Sequence, residues 1–240
     1  MQSFRDTNIL ELLQHTEKAL DREIKGLSKA VNTYIAIGIK GIEIKKSDFF
    51  SRLQLLDLGS KPINNWVDFS NLFMNTVGLP IHCFDADKIE GAIIVRDAYE
   101  GETFTDLFGA THSLKTTDLV IADEKKILAL AGVIGGLERG ITENTKNIIV
   151  ELANFDPVVV RKTGTRLGLR TEAELRFEKN IAPAFSLYAL LLFLEELKFY
   201  AKGLGNYEIS GIASYINPNC NPLEKKLITV QREQLESLIF

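Results

Sequence analysis

The stretch from Leu128 to Glu178, LALAGVIGGLERGITENTKNIIVELANFDPVVVRKTGTRLGLRTEAELRFE, constrains the fold more than any other part of the chain. An apolar strand, Ile127 to Gly132, runs into a glycine-rich turn (Gly132, Gly135, Gly136). A second apolar run, Ile148 to Ala153, is interrupted by a single acid, Glu151. Two helix starts follow. Asp156-Pro157 offers a capping carboxylate with proline at the first helical position, where its missing N–H costs nothing, and Gly168 ends that helix. Thr171 and Glu174 have the spacing of a capping box.

The rest of the chain alternates short apolar runs with turn residues. Tyr34 to Ile39 reads as a strand, and Gly41 turns it towards Ile42-Glu43-Ile44. Residues 92–98, 102–107 and 119–122 read as further strands, with turns at Glu100-Gly101, Gly109 and Asp123 to Lys126. Residues 8–30 carry apolar side chains at helical spacing. Ser47 can cap a short helix that Gly59 ends. Trp66 to Phe69 reads as a strand, followed by Ser70 as N-cap of a helix that Gly78 closes. Residues 79–85 read as a loop, because Pro80 blocks helix continuation. Residues 184–202 form a longer helix stopped by Gly203. These readings predict an α+β fold, a mostly antiparallel sheet core with surrounding helices. The Asn217 to Pro222 stretch has linker composition, and beyond it a strand near 227–230 and a helix near 233–238 read as the start of something truncated.

The bulk numbers exclude several functions. With 240 residues the chain can form one sizeable core, or one core and a small appendage. A net charge of −4 argues against a broad, sequence-independent grip on nucleic acid, which needs a basic surface. Cys83 and Cys220 lie far apart without CxxC spacing, which fits two thiols in a reducing compartment. His15, His82 and His112 are scattered, so no metal site is expected. The apolar segment from Ala189 to Leu194 ends at Glu195-Glu196, too short to span a bilayer. A cytoplasmic protein is expected.

Several residues carry chemistry or have a plainer explanation. Glu151 either faces water on an edge strand or lies buried, where a carboxylate must be paired. Gly132 and Gly135 allow a close backbone approach to a ligand, or merely a tight turn. Ala173 is a small residue for helix packing or for the rim of a pocket. His82 sits after a proline, solvated or in a site, and Ser70 and Asn71 fall at an expected helix start.

Five segments in one order resemble the central editing module of the bacterial phenylalanyl-tRNA synthetase beta subunit. PINNWVDFSN (Pro62 to Asn71) is similar to the family's PxNNxVDVTN, and LPIHCFD (Leu79 to Asp85) to its QPxHAFD. DLVIAD (118–123), LAGVIGG (130–136) and RLGLRTEA (166–173) follow. The resemblance runs from about Tyr34 to Pro183, with a weaker tail, and divides the chain into an N-terminal helix or linker (1–30), an editing domain (31–203) and a linker with the truncated start of the next domain (204–240). It implies hydrolysis of tyrosine wrongly esterified to tRNA(Phe). A pocket that hydrogen-bonds the extra hydroxyl supplies a discrimination that an apolar pocket cannot.

In that resemblance Glu151 accepts the tyrosine hydroxyl, and the Ala131-Gly132 backbone lies beside the ring. Gly135 stands near the entrance, with Thr171 and Ala173 at the border. Ser70 and Asn71 hold the amino-acid backbone, and His82 orients a water or the terminal ribose. Ser70 departs from the family threonine by one methyl, and Cys83 replaces a usual alanine. No nucleophile is assigned, and positioned water is the implied attacker. No cofactor or metal is expected for the module itself. The parent ligase would use ATP and Mg2+, with an alpha subunit in an alpha2beta2 assembly and tRNA(Phe) as partners. The competing expectation is a non-editing scaffold that packs against the alpha subunit.

Overall fold

The computed structural model describes residues 20–220 apart from 27, 139 and 205, and a few positions beyond (229–231, 234 and 237). Within them two antiparallel-rich sheets lie face to face, and helices cover the outer side of one. The first sheet has the strand order β11-β2-β10-β3: β2 (Val31–Lys40), β3 (Ile81–Asp85), β10 (Asn147–Phe155) and β11 (Glu208–Ile216), all antiparallel. The second has the order β1-β4-β7-β8-β9: β1 (Ile24–Gly26), β4 (Ile93–Asp97), β7 (Leu119–Ala122), β8 (Ile127–Leu130) and β9 (Ile134–Gly135). Its β1–β4 pair is parallel. A small hairpin, β5 (Thr103–Thr105) with β6 (Thr111–Ser113), projects beside it. The expected α+β class is what the chain adopts.

Strand β10 is central, flanked by β2 and β3, and buried from Ile148 to Phe155. A strand covered on both faces reads as a continuous apolar run rather than an alternation. One cover is the helix α5 (Pro183–Leu204), docked where the hydroxyls of Thr33 and Ser186 meet. The other cover is the second sheet. A side chain at Gly26 would collide with the Tyr215 ring at 2.3 Å, and one at Gly135 with the His82 ring at 2.6 Å. Those two close approaches show which face of the first sheet meets its partner.

The remaining helices are α1 (Phe49–Asp57), α2 (Asn65–Val77), α3 (Pro157–Leu167) and α4 (Glu172–Phe177). Helix α3 begins as its sequence demands: Asp156 accepts hydrogen bonds from the amides of Val158 and Val159, Pro157 takes the first turn, and Gly168 closes it at φ 68°. Thr171 caps α4 by accepting from the Glu174 amide.

Several expectations fail, each for a physical reason. Trp66 to Phe69 is not a strand, and Ser70 is not a cap. Both lie inside α2, which Asn64 caps by accepting from the Val67 amide. Four residues are too few to separate a period of two from one of 3.6, whereas Trp66, Phe69 and Phe73 keep a helical spacing and are all buried. Residues 81–85 form β3 rather than a loop, because Pro80 stands just before the ladder and removes no bond from it. Asp48, not Ser47, caps α1. Helix α5 runs through Gly203 to Leu204. Of the stretch read as a helix over 8–30, residues 8–19 lie outside the described residues and Ile24–Gly26 is β1. Residues 208–216, read as part of a passage to another domain, add β11 to the first sheet. The strand and helix expected at 227–230 and 233–238 fall almost wholly outside the described residues.

Asp156→Ala should lower stability by about 1 kcal/mol through the lost cap. A chemical-denaturation midpoint equal to the parent's would show that the cap contributes nothing.

Candidate functional site

Glu151 is not on an edge. It stands in the middle of the central strand, opposite Ala36 on β2 and His82 on β3, and keeps only 6% of its surface exposed. Directly opposed residues of an antiparallel pair share a face, so Glu151 and His82 both point towards the second sheet. The hydroxyl of Tyr34, itself fully buried, donates to Oε2 of Glu151 at 3.1 Å. Burial raises the Glu151 carboxyl from 4.5 to about 8 despite the Tyr34 hydrogen bond, which lowers it. The acid is therefore mostly protonated at neutral pH. Burial alone lowers His82 from 6.5 to about 4, leaving a neutral imidazole. It also pushes the Cys83 thiol up to about 12, with the nearby Glu151 charge adding to the effect.

The glycine-rich turn closes over His82. A Cβ on Gly135 would lie 2.6 Å from Cε1 and 2.8 Å from Nε2 of His82, so only glycine leaves room for the ring there. The ring also meets Phe84 edge-on, with centroids 4.5 Å apart. Gly132 has φ +70°, and a Cβ there would press on Val160, Phe155 and Phe177 at 3.0–3.1 Å. Close packing alone accounts for both glycines, and at Gly132 the positive φ adds to it. Ala131 is buried beside them, its amide donating to the Leu119 carbonyl at 3.0 Å.

Helix α4 is tied to the same turn. The Thr171 hydroxyl donates to the Val133 carbonyl at 2.6 Å while capping the helix. Ala173, half-buried, packs against the core two residues on. Glu151, His82, Ala131, Gly132, Gly135, Thr171 and Ala173 thus gather along one seam, where the first sheet meets the turn of the second and α4. Ser70 and Asn71 lie on α2, and no described hydrogen bond ties either side chain to that seam. The Ser70 hydroxyl donates back to the Val67 carbonyl at 2.7 Å, a bond internal to α2. Asn71 is half-buried, and its side-chain amide has no hydrogen-bond partner among the described residues. One turn further, Asn75 accepts from the Arg176 guanidinium at 3.0 Å, which joins α2 to α4.

Tyr34 is the participant that sequence reasoning missed. A buried tyrosine needs a partner for its hydroxyl. A tyrosine and a glutamate in two apolar strands were signals, but their pairing needs the strand register. Among the described residues no group of three or more His, Cys, Asp or Glu side chains is placed to hold a metal ion.

Comparisons with known proteins place the chain in a family. A family model described as the B3/4 domain matches residues 30–202. The phenylalanine-tRNA ligase beta subunit of Bacteroides fragilis is 37% identical over 213 residues, 88% of this chain and 25% of that protein. Its counterpart from Aquifex aeolicus is 49% identical over 148 residues, 62% of this chain and 19% of that protein. This chain spans about a quarter or less of the length of such relatives. A solved N-terminal fragment of the phenylalanyl-tRNA synthetase beta subunit from Pyrococcus horikoshii aligns with a TM-score of 0.43 and 17% identity, over 63% of this chain and 49% of that one.

The two buried groups fix a pH signature. At pH 6.5 an unfolded chain holds almost no proton on Glu151 and about half of one on His82, and by pH 8 almost none on either. The folded chain holds none on His82, but nearly a whole proton on Glu151 at pH 6.5 and about half of one at pH 8, so Glu151 outweighs His82 across this window. The stability that protonated Glu151 contributes is therefore complete below its unfolded value and lost as pH rises towards 8. Melting temperature should fall from pH 6.5 to 8 in the parent, and Glu151→Gln should remove most of that slope. An unchanged slope in the variant would place the titration elsewhere.

Proposed function

The chain belongs to the B3/4 domain family of phenylalanine-tRNA ligase beta subunits, and on that premise we propose that it is an editing module, hydrolysing tyrosyl ester from mischarged tRNA(Phe). The observation that supports this reading best is the buried, uncharged Glu151 on the inner face of a central strand. A protonated carboxyl can donate as well as accept, and so can a phenol. A tyrosyl hydroxyl would satisfy it, and a phenylalanyl ring would leave a buried polar group unmatched. That mismatch is the kind that yields strong discrimination.

On this reading the ring lies against the Ala131-Gly132 backbone, with Gly135 at the entrance and Thr171 and Ala173 at the border. Neutral His82 can accept a hydrogen bond from a water or from the terminal ribose, and so help to orient the attack on the ester carbonyl. Asn71, with its free amide, and Ser70 hold the amino-acid end. The hydrolysis is a positioned-water reaction in which the substrate's own hydroxyls share the proton transfers. ATP and Mg2+ serve the aminoacylation reaction of the whole ligase, and no step here is routed through them. The alpha subunit, an alpha2beta2 assembly and tRNA(Phe) are the partners this reading assigns, in the cytoplasm. Among the described residues no helix is long and apolar enough to cross a membrane.

Glu151→Ala should reduce deacylation of Tyr-tRNA(Phe) by about ten- to a hundredfold, the worth of a hydrogen bond to such a group. Ala173→Trp should block it by filling the pocket. Deacylation at the parent rate by both variants in the assembled ligase would leave the scaffold role standing alone.

A scaffold role alongside editing is favoured by the outer face of α1. Phe49, Leu56 and Ile63 are 60–63% exposed and, with Leu53 and Pro62, line a hollow of about 290 Å³. Apolar surface of this kind marks a protein contact, and the alpha subunit is the partner proposed for it. Phe49→Ser with Leu56→Ser should weaken co-purification with that subunit, and undiminished recovery would remove the assignment.

A further inference from the structure

The opposite neighbour of Glu151 on β2 is Ala36, and that of Ala36 on β11 is Ala213. Two small residues in a row leave space above the sheet. Glu151 can then lean across β2 to its diagonal neighbour Tyr34, two residues along on the same face, a distance that only long and aromatic side chains bridge. The bond that results, 3.1 Å from the Tyr34 hydroxyl to Oε2, joins a fully buried phenol to a nearly buried acid. Oε1 has no partner among the described residues, yet is not sealed away with the buried unpaired atoms.

We propose that Tyr34 is the positioning residue of this carboxyl: its phenol occupies Oε2 and so presents Oε1 as the one oxygen that a ligand's hydroxyl can meet. The inference rests on the reading of Glu151 as the group that senses the tyrosyl hydroxyl. Tyr34 itself touches no substrate. It removes the alternative rotamers of Glu151 and satisfies half of the carboxyl in advance, so the site matches a single hydroxyl rather than two. The other titratable groups around the acid are His82 and Cys83 on β3, while Gly135 on β9 brings none.

The test reads the acid directly. Infrared titration of the 240-residue chain follows the protonated carboxyl band of Glu151, assigned by its loss in Glu151→Gln. Tyr34→Phe removes a donor to the carboxylate and should move the midpoint up by about one pH unit. Tyr34→3-fluorotyrosine, a stronger donor of nearly the same shape, should move it down. In the assembled ligase Tyr34→Phe should slow Tyr-tRNA(Phe) deacylation about tenfold, and should add nothing when combined with Glu151→Ala, because it acts through that residue. A midpoint unmoved by both Tyr34 variants, or an additive double variant, overturns the proposal. Glu151→Ala alone at the parent rate would instead overturn the editing reading, while the infrared midpoint would still decide what Tyr34 does to the acid.

Discussion

A carboxyl group in the middle of a central strand is the constraint around which this architecture is arranged. Taking a charged carboxylate out of water costs several kcal/mol even after relaxation. The protein meets that cost in two ways: the acid keeps its proton at neutral pH, and the Tyr34 hydroxyl engages one of its oxygens. Both require strands β2 and β10 in the observed register. A slip of one residue would turn Glu151 to the face covered by α5 and bring Tyr34 out of reach.

The second sheet is shaped to the same group. His82 stands opposite Glu151, and its ring fills the space that a side chain at Gly135 would occupy. Gly132 admits Phe155, Val160 and Phe177 in the same manner. Thr171 then fastens α4 to the turn by one hydroxyl that both caps the helix and holds the Val133 carbonyl. The segments LPIHCFD, LAGVIGG and RLGLRTEA, far apart along the chain, thus contribute to a single packing arrangement.

What the sequence made legible was what local chemistry decides. Asp156-Pro157, Gly168 and Thr171 each carry their signal within four residues and cap where expected, though the capping box at Thr171 is only half made, because the Glu174 carboxylate accepts from Arg170 instead. Strands β2 and β10 declared themselves by apolar runs too long and too β-branched to mistake. The failures share a different cause. Helix α2 reads as two pieces because Trp-Val-Asp-Phe mimics an alternation over its short length, and Ser70, whose hydroxyl bonds within the helix, looks as much like a cap as Asn64 does. Strand β3 was hidden by a proline that lies just outside its ladder. At the site, Glu151 was conspicuous because it is out of place, whereas Tyr34 was inconspicuous because tyrosine suits any strand. Pairing between residues 117 positions apart is a property of register, and no local pattern encodes it.

A seam this closed also limits how an RNA substrate could be handled. The chain carries a net charge of −4, and the acid that would sense a hydroxyl is almost wholly enclosed. A long polyanion gains little affinity from such a surface, since its binding depends on releasing counterions to basic groups. On the editing reading, only the esterified amino acid would enter the seam, and the affinity for the nucleic acid would come from basic surface elsewhere in the ligase. The two tasks make opposite electrostatic demands. A buried neutral carboxyl survives where the local field does not favour its ionisation, and a neighbouring cluster of lysines or arginines would lower its pKa and charge it. Separating hydroxyl sensing from RNA holding would therefore protect the protonation state on which the discrimination rests.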